Sequence, residues 1–440
     1  MTDLAGKKIT LMGLGLNGGA IEDALFFIGK GARLTITDLK TAKELKPSLE
    51  KLENCLPADR QEKYKINLTL GKHEKKDFLH ADMVIKSPAI PNNSKYLVLA
   101  RNNGVKVSTS MGLFFELANT KNLIGITGTK GKSTTAALIH KIIKTKYPKA
   151  YLAGNIGVSP LKYASRAQKA IGIIELSSFQ LDDLKKSPHI SVITNIAQDH
   201  LNRYRNFSKY IDAKKRIFKW QDKNDFLVIN KNIKKIATNS KSKTVFFSDK
   251  NIKTNNTSVH PDNIAAAIEV AKILNISSKK YNTEIKNFTG LEGRLEYIGN
   301  INRTKIYNDT TATNPMSALN SIKNFEGKKL ALIAGGEDKN LEYSEFSKNL
   351  KHINSLALLP GSASDKIYMY GLKNGTWNDK FKKVRNLATA LEYSLQTNPE
   401  ILLFSPAAAS FNMFANEFDR GLKFKEAVKN YGAKRKKVSR

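Results

Sequence analysis

Lys132 and Ser133 sit where a strand-like apolar run gives way to a helical one, in Gly125-Ile-Thr-Gly-Thr-Lys-Gly-Lys-Ser-Thr-Thr135. A strand, a tight glycine turn and a helix in that order cradle phosphate, because loop amides and the helix N-terminus point at the anion. Lys132 is then placed to reach the β- and γ-phosphates, and the Ser133 hydroxyl to ligate Mg²⁺. The standard G-x-x-x-x-G-K-[ST] spacing is not met, since Ile126 stands where its first glycine belongs. What remains is Gly128-x-x-Gly131-Lys132-Ser133. An ordinary glycine turn ahead of a helix is the plainer reading; phosphate binding is the better one. Two polar residues further along could serve the same phosphates. Glu175 falls in the buried-strand run Ile171 to Leu176, and His200 follows the run Ile190 to Ile196. Parallel α/β sheets bind ligands just outside the carboxyl ends of their strands. A carboxylate at one strand end and an imidazole at the next could both reach a metal. Singly, each has a dull explanation, a helix-capping carboxylate and a satisfied core histidine. With the phosphate loop in one sheet they read as a Mg²⁺–ATP site.

The elements that must position these groups alternate strand and helix along the whole chain. Lys8 to Met12 predicts a strand, Gly13-Leu-Gly15-Leu-Asn-Gly18 a turn, Ile21 to Ile28 a helix, and Arg33 to Thr37 a strand that ends at Asp38. Taken alone, this G-x-G-x-x-G with its acidic residue suggests a dinucleotide fold and an NAD-dependent oxidoreductase, with Asp38 on a ribose. The plainer reading gives its glycines to helix–strand packing. Further strands are expected at Met83 to Ile85, Val105 to Val107, Tyr151 to Ala153, Lys305 to Asn308, Leu330 to Ala334, Leu356 to Leu359 and Ile401 to Phe404. The pattern predicts an α/β protein of three domains. A Rossmann-like domain is expected at 1–115, a central P-loop-type mononucleotide-binding domain at 116–288, and a second Rossmann-like domain at 289–440.

Composition excludes several classes. The chain has 440 residues, 41% hydrophobic and 25% charged, ordinary for a soluble globular protein. No apolar run approaches the roughly 18 residues that span a membrane. Asp3 and the early strand predict no signal peptide. Cys55 is the sole cysteine, which rules out an intrachain disulfide and a multi-cysteine zinc site. The expectation is a cytoplasmic enzyme. A net charge of +34 admits nucleic-acid binding or a lysine-rich surface that attracts anionic substrates. The lysines are spread along the chain, and only Lys434 to Lys437 forms a tight block, so nucleic acid is not the expected ligand.

Read together, the motifs resemble the Mur ligases, ATP-dependent amide-forming enzymes of peptidoglycan precursor synthesis. The resemblance rests on Gly13-Leu-Gly-Leu16, Ser87-Pro-Ala-Ile-Pro91, Gly128-Thr-Lys-Gly-Lys-Ser-Thr134, Gly154-Asn-Ile-Gly157, Glu175-Leu-Ser-Ser-Phe-Gln-Leu181, Asp199-His-Leu201, Ala213-Lys-Lys-Arg216, Asn308-Asp-Thr-Thr-Ala-Thr-Asn314, Gly335-Gly336 and Ser405-Pro-Ala-Ala-Ala-Ser410, in family order. It implies that the first domain holds UDP rather than NAD, through Leu16, Asn17, Asp38, Leu39, Lys40 and Gly71. It implies ATP at Gly128, Thr129, Lys130, Gly131, Lys132, Ser133, Thr134, Asn263, Arg294 and Asp309. It implies metal ligation, with two Mg²⁺ ions, by Ser133, Glu175, His200 and Lys214. Lys214 falls on a family lysine that CO₂ carbamylates, with Lys215 the neighbour if the register shifts by one. Catalysis is implied for Lys132, His200 and Lys214. Asn155, Ser177 and Gln180 are implied at the muramoyl-alanine end, and Thr313, Lys339, Ser410 and Phe411 around the amino acid. The substrates implied are UDP-N-acetylmuramoyl-L-alanine and glutamate, joined through an acyl phosphate by a monomer whose domains close during turnover. Thr311 in place of the usual lysine, Gly293 in place of histidine, Glu417 at an often aromatic position and His260-Pro261 near adenine depart from the family pattern. They leave open L-glutamate in place of D-glutamate, or another ligase of the wider group.

Overall fold

The computed structural model describes residues 4–16, 18–56, 66–118, 120–197, 204, 206–252, 259–338, 341–410 and 413–438. Short runs of Ile, Val and Leu bounded by glycine or polar residues form strands covered on both faces, the pattern of parallel α/β sheets. Leu123–Thr127, Ile190–Ile193 and Leu330–Gly335 are buried at every position.

The chain divides into two compact units, Met1–Asn287 and Phe288–Arg440. The first unit holds two sheets. One contains β1 (Lys8–Met12), β2 (Arg33–Asp38), β3 (Asn67–Leu70), β4 (Met83–Lys86) and β5 (Lys106–Ser108) in the order β3-β2-β1-β4-β5, all parallel. The other contains β6 (Leu123–Thr127), β7 (Tyr151–Gly154), β8 (Gly172–Glu175), β9 (Ile190–Ile193), β10 (Phe226–Asn230) and β11 (Lys243–Phe247). Its order is β11-β10-β9-β6-β8-β7, again all parallel. The chain leaves β6 with β8 on one side and β9 on the other, so the ends of three strands converge at the phosphate loop.

The two sheets share one apolar core. A continuous buried cluster runs from Ile9, Phe27 and Ile85 through Leu113, Phe114 and Phe115 to Tyr151, Ile174 and Ile193. The helix Ser110–Leu117 spans residue 115 and supplies the middle of that cluster. A polar clasp accompanies it. The buried Asp23 carboxylate accepts hydrogen bonds from the hydroxyls of Ser110 and Ser159, and neighbouring Glu22 accepts from the Ser159 N–H at 2.5 Å. Burial, reinforced by the Glu22 charge, pushes Asp23 up from 3.8 to about 6, although both serine hydroxyls pull the other way. A carboxyl raised on folding supports the fold fully below its unfolded value, near 4, and that support is lost as pH rises through about 6. The shift corresponds to roughly 3 kcal/mol. Asp23→Asn is therefore expected to narrow the loss of stability between pH 4 and pH 8, read by chemical denaturation at both pH values. An equal loss in both proteins would remove Asp23 as the cause.

The second unit is a sheet of β12 (Glu296–Ile301), β13 (Thr304–Asn308), β14 (Leu330–Gly335), β15 (Ser355–Leu359), β16 (Phe381–Lys383) and β17 (Ile401–Phe404). Its order is β12-β13-β17-β14-β15-β16, parallel except for the β12–β13 pair. Among the described residues no helix is long and apolar enough to cross a membrane.

Candidate functional site

The phosphate loop leaves β6 and enters the helix Lys132–Lys144 through Gly131, whose φ of 79° is left-handed. Only glycine fits there, because a Cβ on Gly131 would collide with the Asn263 side chain. Asn263, from the helix Pro261–Ile273, is thus packed against the turn itself. The end of β9 braces the loop. Asn195 accepts from the amides of Thr129 and Lys130, both at 2.9 Å, and its own amide donates to the Lys130 carbonyl at 2.9 Å. The Thr194 hydroxyl donates to the same carbonyl at 2.7 Å, and the Thr129 hydroxyl lies 3.0 Å from that of Tyr210.

Two lysines meet at the loop. Lys132 Nζ donates to the Gly128 and Thr129 carbonyls at 3.0 and 2.9 Å. Lys214, 1% exposed, donates from Nζ to that same Gly128 carbonyl at 2.8 Å and to Thr127 Oγ1 at 3.2 Å, and lies over the Tyr210 ring. Ser133 is buried and Thr134 half-buried in the first turn of the helix.

Glu175 ends β8 beside this loop at 1% exposure. Its Oε1 accepts from Asn155 Nδ2 at 3.0 Å, while the buried Oε2 has no hydrogen-bond partner among the described residues. An orphaned buried carboxylate oxygen is costly. Next to a phosphate cradle it is the donor that a hard divalent cation takes. The residues present fit such an ion. Ser177 caps the helix Ser178–Leu181 in a capping box with Gln180, which keeps both polar groups at the end of β8. Asn155, Glu175, Ser177 and Gln180 are therefore brought together.

On the first sheet, Leu16, Asp38, Leu39, Lys40 and Gly71 gather at the ends of β1 to β3. Asp38 does not present a free carboxylate. Its two oxygens accept from the Gly15 and Lys40 amides at 3.0 and 2.9 Å, which fixes the glycine turn. Lys40 in turn accepts from the Gly71 amide at 2.9 Å, and Leu16 and Leu39 expose apolar surface at the rim.

In the second unit the ends of β13, β17 and β14 are adjacent. Asp309 is buried and accepts from Ser405 Oγ at 2.6 Å and the Leu295 amide at 3.1 Å. Burial raises its pKa against the pull of those bonds and of Arg294. Thr313 and Ser410 lie on loops joined by the Ala407 amide to the Ala312 carbonyl at 2.9 Å. Thr311 is a pin: its hydroxyl donates to the Gly293 carbonyl at 2.8 Å. Gly293 has φ 69°, and a Cβ there would stand 2.7 Å from Thr310 Cγ2, so a histidine would not fit this loop. Asn17, His200, Lys339 and Phe411 lie outside the described residues.

Sequence reading missed Thr194, Asn195, Tyr210 and Arg420. The first two follow a buried strand, which was a usable signal. Arg420 carried none. It lies in the helix Glu417–Val438 at 1% exposure and donates to Thr310 Oγ1, the Thr310 carbonyl and the Ala408 carbonyl at 3.1, 2.7 and 3.0 Å. Burial pulls its guanidinium down to about 10, so it remains charged at neutral pH.

A braced phosphate loop, an orphaned carboxylate beside it and a Rossmann-like sheet packed on the same core define a nucleotide-binding α/β enzyme. A family model described as the Mur ligase middle domain matches residues 126–294, and one for the N-terminal domain of MurD-like Mur ligases matches residues 7–109. The chain is 37% identical to the UDP-N-acetylmuramoylalanine–D-glutamate ligase of Borreliella afzelii over 98% of this chain and 100% of that one. It is 31% identical to the ligase of the same name from Clostridioides difficile over 97% and 99%. Its fold is similar to the UDP-N-acetylmuramate–alanine ligase MurC of Thermotoga maritima, at 17% identity, TM-score 0.56 and coverage of 97% and 100%. It is also similar to a MurF ligase of that organism in complex with ADP, at 14%, 0.54, 98% and 96%. The chain belongs to the Mur ligase family.

Proposed function

We infer that this protein joins glutamate to UDP-N-acetylmuramoyl-L-alanine at the expense of ATP, in cytoplasmic peptidoglycan precursor synthesis. The observation that carries this reading is the unpartnered Glu175 oxygen beside the Gly128–Ser133 loop, in a chain that aligns end to end with ligases of that name. The γ-phosphoryl group passes to the terminal carboxylate, giving an acyl phosphate and ADP. The glutamate amine attacks the acyl carbon, and the tetrahedral intermediate expels phosphate to leave the amide. The chain's contribution is positioning and neutralisation of charge. Lys132 faces the transferred phosphoryl group, Asn263 the adenine, and Arg294 and Asp309 the remaining nucleotide contacts. Leu16, Leu39, Lys40 and Gly71 serve the uridine diphosphate, with Asp38 shaping their loop. Asn155, Ser177 and Gln180 serve the muramoyl-alanine end, and Thr313 and Ser410 the glutamate. Ser133, Glu175, His200 and a carbamylated Lys214 would hold Mg²⁺, whose chemistry is to neutralise the phosphate oxygens. Division of the chain at 115 and 288 belongs to the same reading.

Thr311 supports a second reading for the amino acid. Its hydroxyl is engaged and it brings no cation to a position where the family resemblance implies lysine, so L-glutamate is the competing substrate. Phosphate release with UDP-N-acetylmuramoyl-L-alanine against D-glutamate, L-glutamate and D-aspartate tests both. Turnover with D-glutamate is expected; turnover with L-glutamate alone selects the second reading, and none with either ends the assignment.

A further inference from the structure

We propose that the ion pair between buried Lys86 and half-buried Asp183 is the strut that sets the nucleotide end of the substrate site at a fixed distance from its reacting end. Lys86 and Asp183 are therefore positioning residues; the inference rests on the function proposed above. Lys86 is the last residue of β4 and is 2% exposed. Its Nζ lies 2.7 Å from Asp183 Oδ2 and donates to the Ile90 carbonyl at 3.1 Å. The other Asp183 oxygen accepts from Asn92 Nδ2 at 2.6 Å, and Asn92 is itself gripped by the Arg101 guanidinium at 2.7 and 3.0 Å.

Each end of the pair is tied to one part of the site. The loop from Ser87 to Pro91 lies directly on the glycine turn, since a Cβ on Gly13 would stand 3.1 Å from Ser87 Cβ and 3.3 Å from Ile90 Cδ1. Asp183 follows Gln180 by three residues, at the foot of the helix that Ser177 caps. A single ion pair thus couples the turn at Gly13 to the group of Ser177, Gln180, Asn155 and Glu175. Apolar packing between the two sheets is non-directional and tolerates sliding, so their register rests on directional bonds, the Asp23 clasp at one place and this pair at the nucleotide end. A short, largely buried, hydrogen-bonded pair fixes register, as buried ionic groups do in some other proteins. A substrate that spans both sheets needs that register, because misplacement of about 1 Å can cost 10²-fold.

The test uses the full-length protein with Lys86→Met and Asp183→Asn, and the double variant Lys86→Met/Asp183→Leu, which replaces the pair by apolar groups and guards against simple unfolding. Two readouts are taken. Amide hydrogen exchange is expected to quicken at least tenfold over residues 87–92 and 177–183 in the single variants, and to stay unchanged in the helix Lys132–Lys144. KM for UDP-N-acetylmuramoyl-L-alanine is expected to rise tenfold or more in all three variants, with KM for ATP within twofold. Unchanged exchange in both segments overturns the strut, as does a folded double variant with an unaltered KM, or a KM for ATP that rises equally. If the unaltered protein fails to turn over the UDP-sugar, the functional reading fails, while the exchange measurement still decides the strut.

Discussion

Lys132→Ala is expected to reduce glutamate-dependent ADP formation by about 10³-fold, the scale for losing one preorganised charge aimed at a transition state. The effect falls on chemistry because of where the ammonium sits. Lys132 Nζ is held on the carbonyls of Gly128 and Thr129, four and three residues back, within the loop proposed to bind the phosphates. Those two bonds hold the ammonium in the loop in the absence of nucleotide. The UDP-sugar should bind as before, because the turn at Gly13 and the Lys40–Gly71 contact are built on a different sheet. Calorimetric titration of the UDP-sugar and a coupled ADP assay on one preparation separate the two effects. Turnover within tenfold of the unaltered protein would remove Lys132 from phosphoryl transfer.

What could be read from the residues follows a physical division. Strand–turn–helix units announce themselves locally, so the glycine turns at Gly13 and Gly128 and the runs that became β1, β6, β8, β9 and β14 were legible. Contacts between distant parts were not. Asn195 reaches the Lys130 amide across 65 residues, and Arg420 reaches Thr310 across 110. Arg420 lies in a helix rich in Lys, where a solvated arginine would read the same. Asp38 shows the opposite failure: its place at the end of β2 was legible, but its engagement with the Gly15 amide depends on how the turn closes. The fusion of the first two sheets was hidden for a similar reason. Leu113, Phe114 and Phe115 are plainly apolar, yet nothing local says which sheet will cover them. Thr311 and Gly293 looked like departures near the amino acid. The structure gives both a backbone reason, since one pins the loop and the other leaves room for Thr310.

Lys214→Ala is expected to lower turnover by about 10²-fold or more, as for loss of a group that supports a metal site, and to regain part of it in acetate or formate. The reason lies in the crowding of cations. Lys214 and Lys132 both donate to the single Gly128 carbonyl, and Lys214 has almost no access to water to screen its charge. Loss of one proton from the Lys214 ammonium, then attack of the neutral amine on CO₂ with N–C bond formation and loss of a second proton, would turn this cation into an anion beside Lys132. The carbamate keeps one N–H, enough to hold either Thr127 Oγ1 or the Gly128 carbonyl. Its oxygens would join Glu175 as hard donors for a divalent cation. In Lys214→Ala, a small carboxylate supplies the missing anion in the space left by the side chain. An ammonium role predicts the reverse, with recovery in methylamine and none in acetate. ADP formation measured with acetate and with methylamine therefore separates the two, and recovery in methylamine alone would exclude the carbamate.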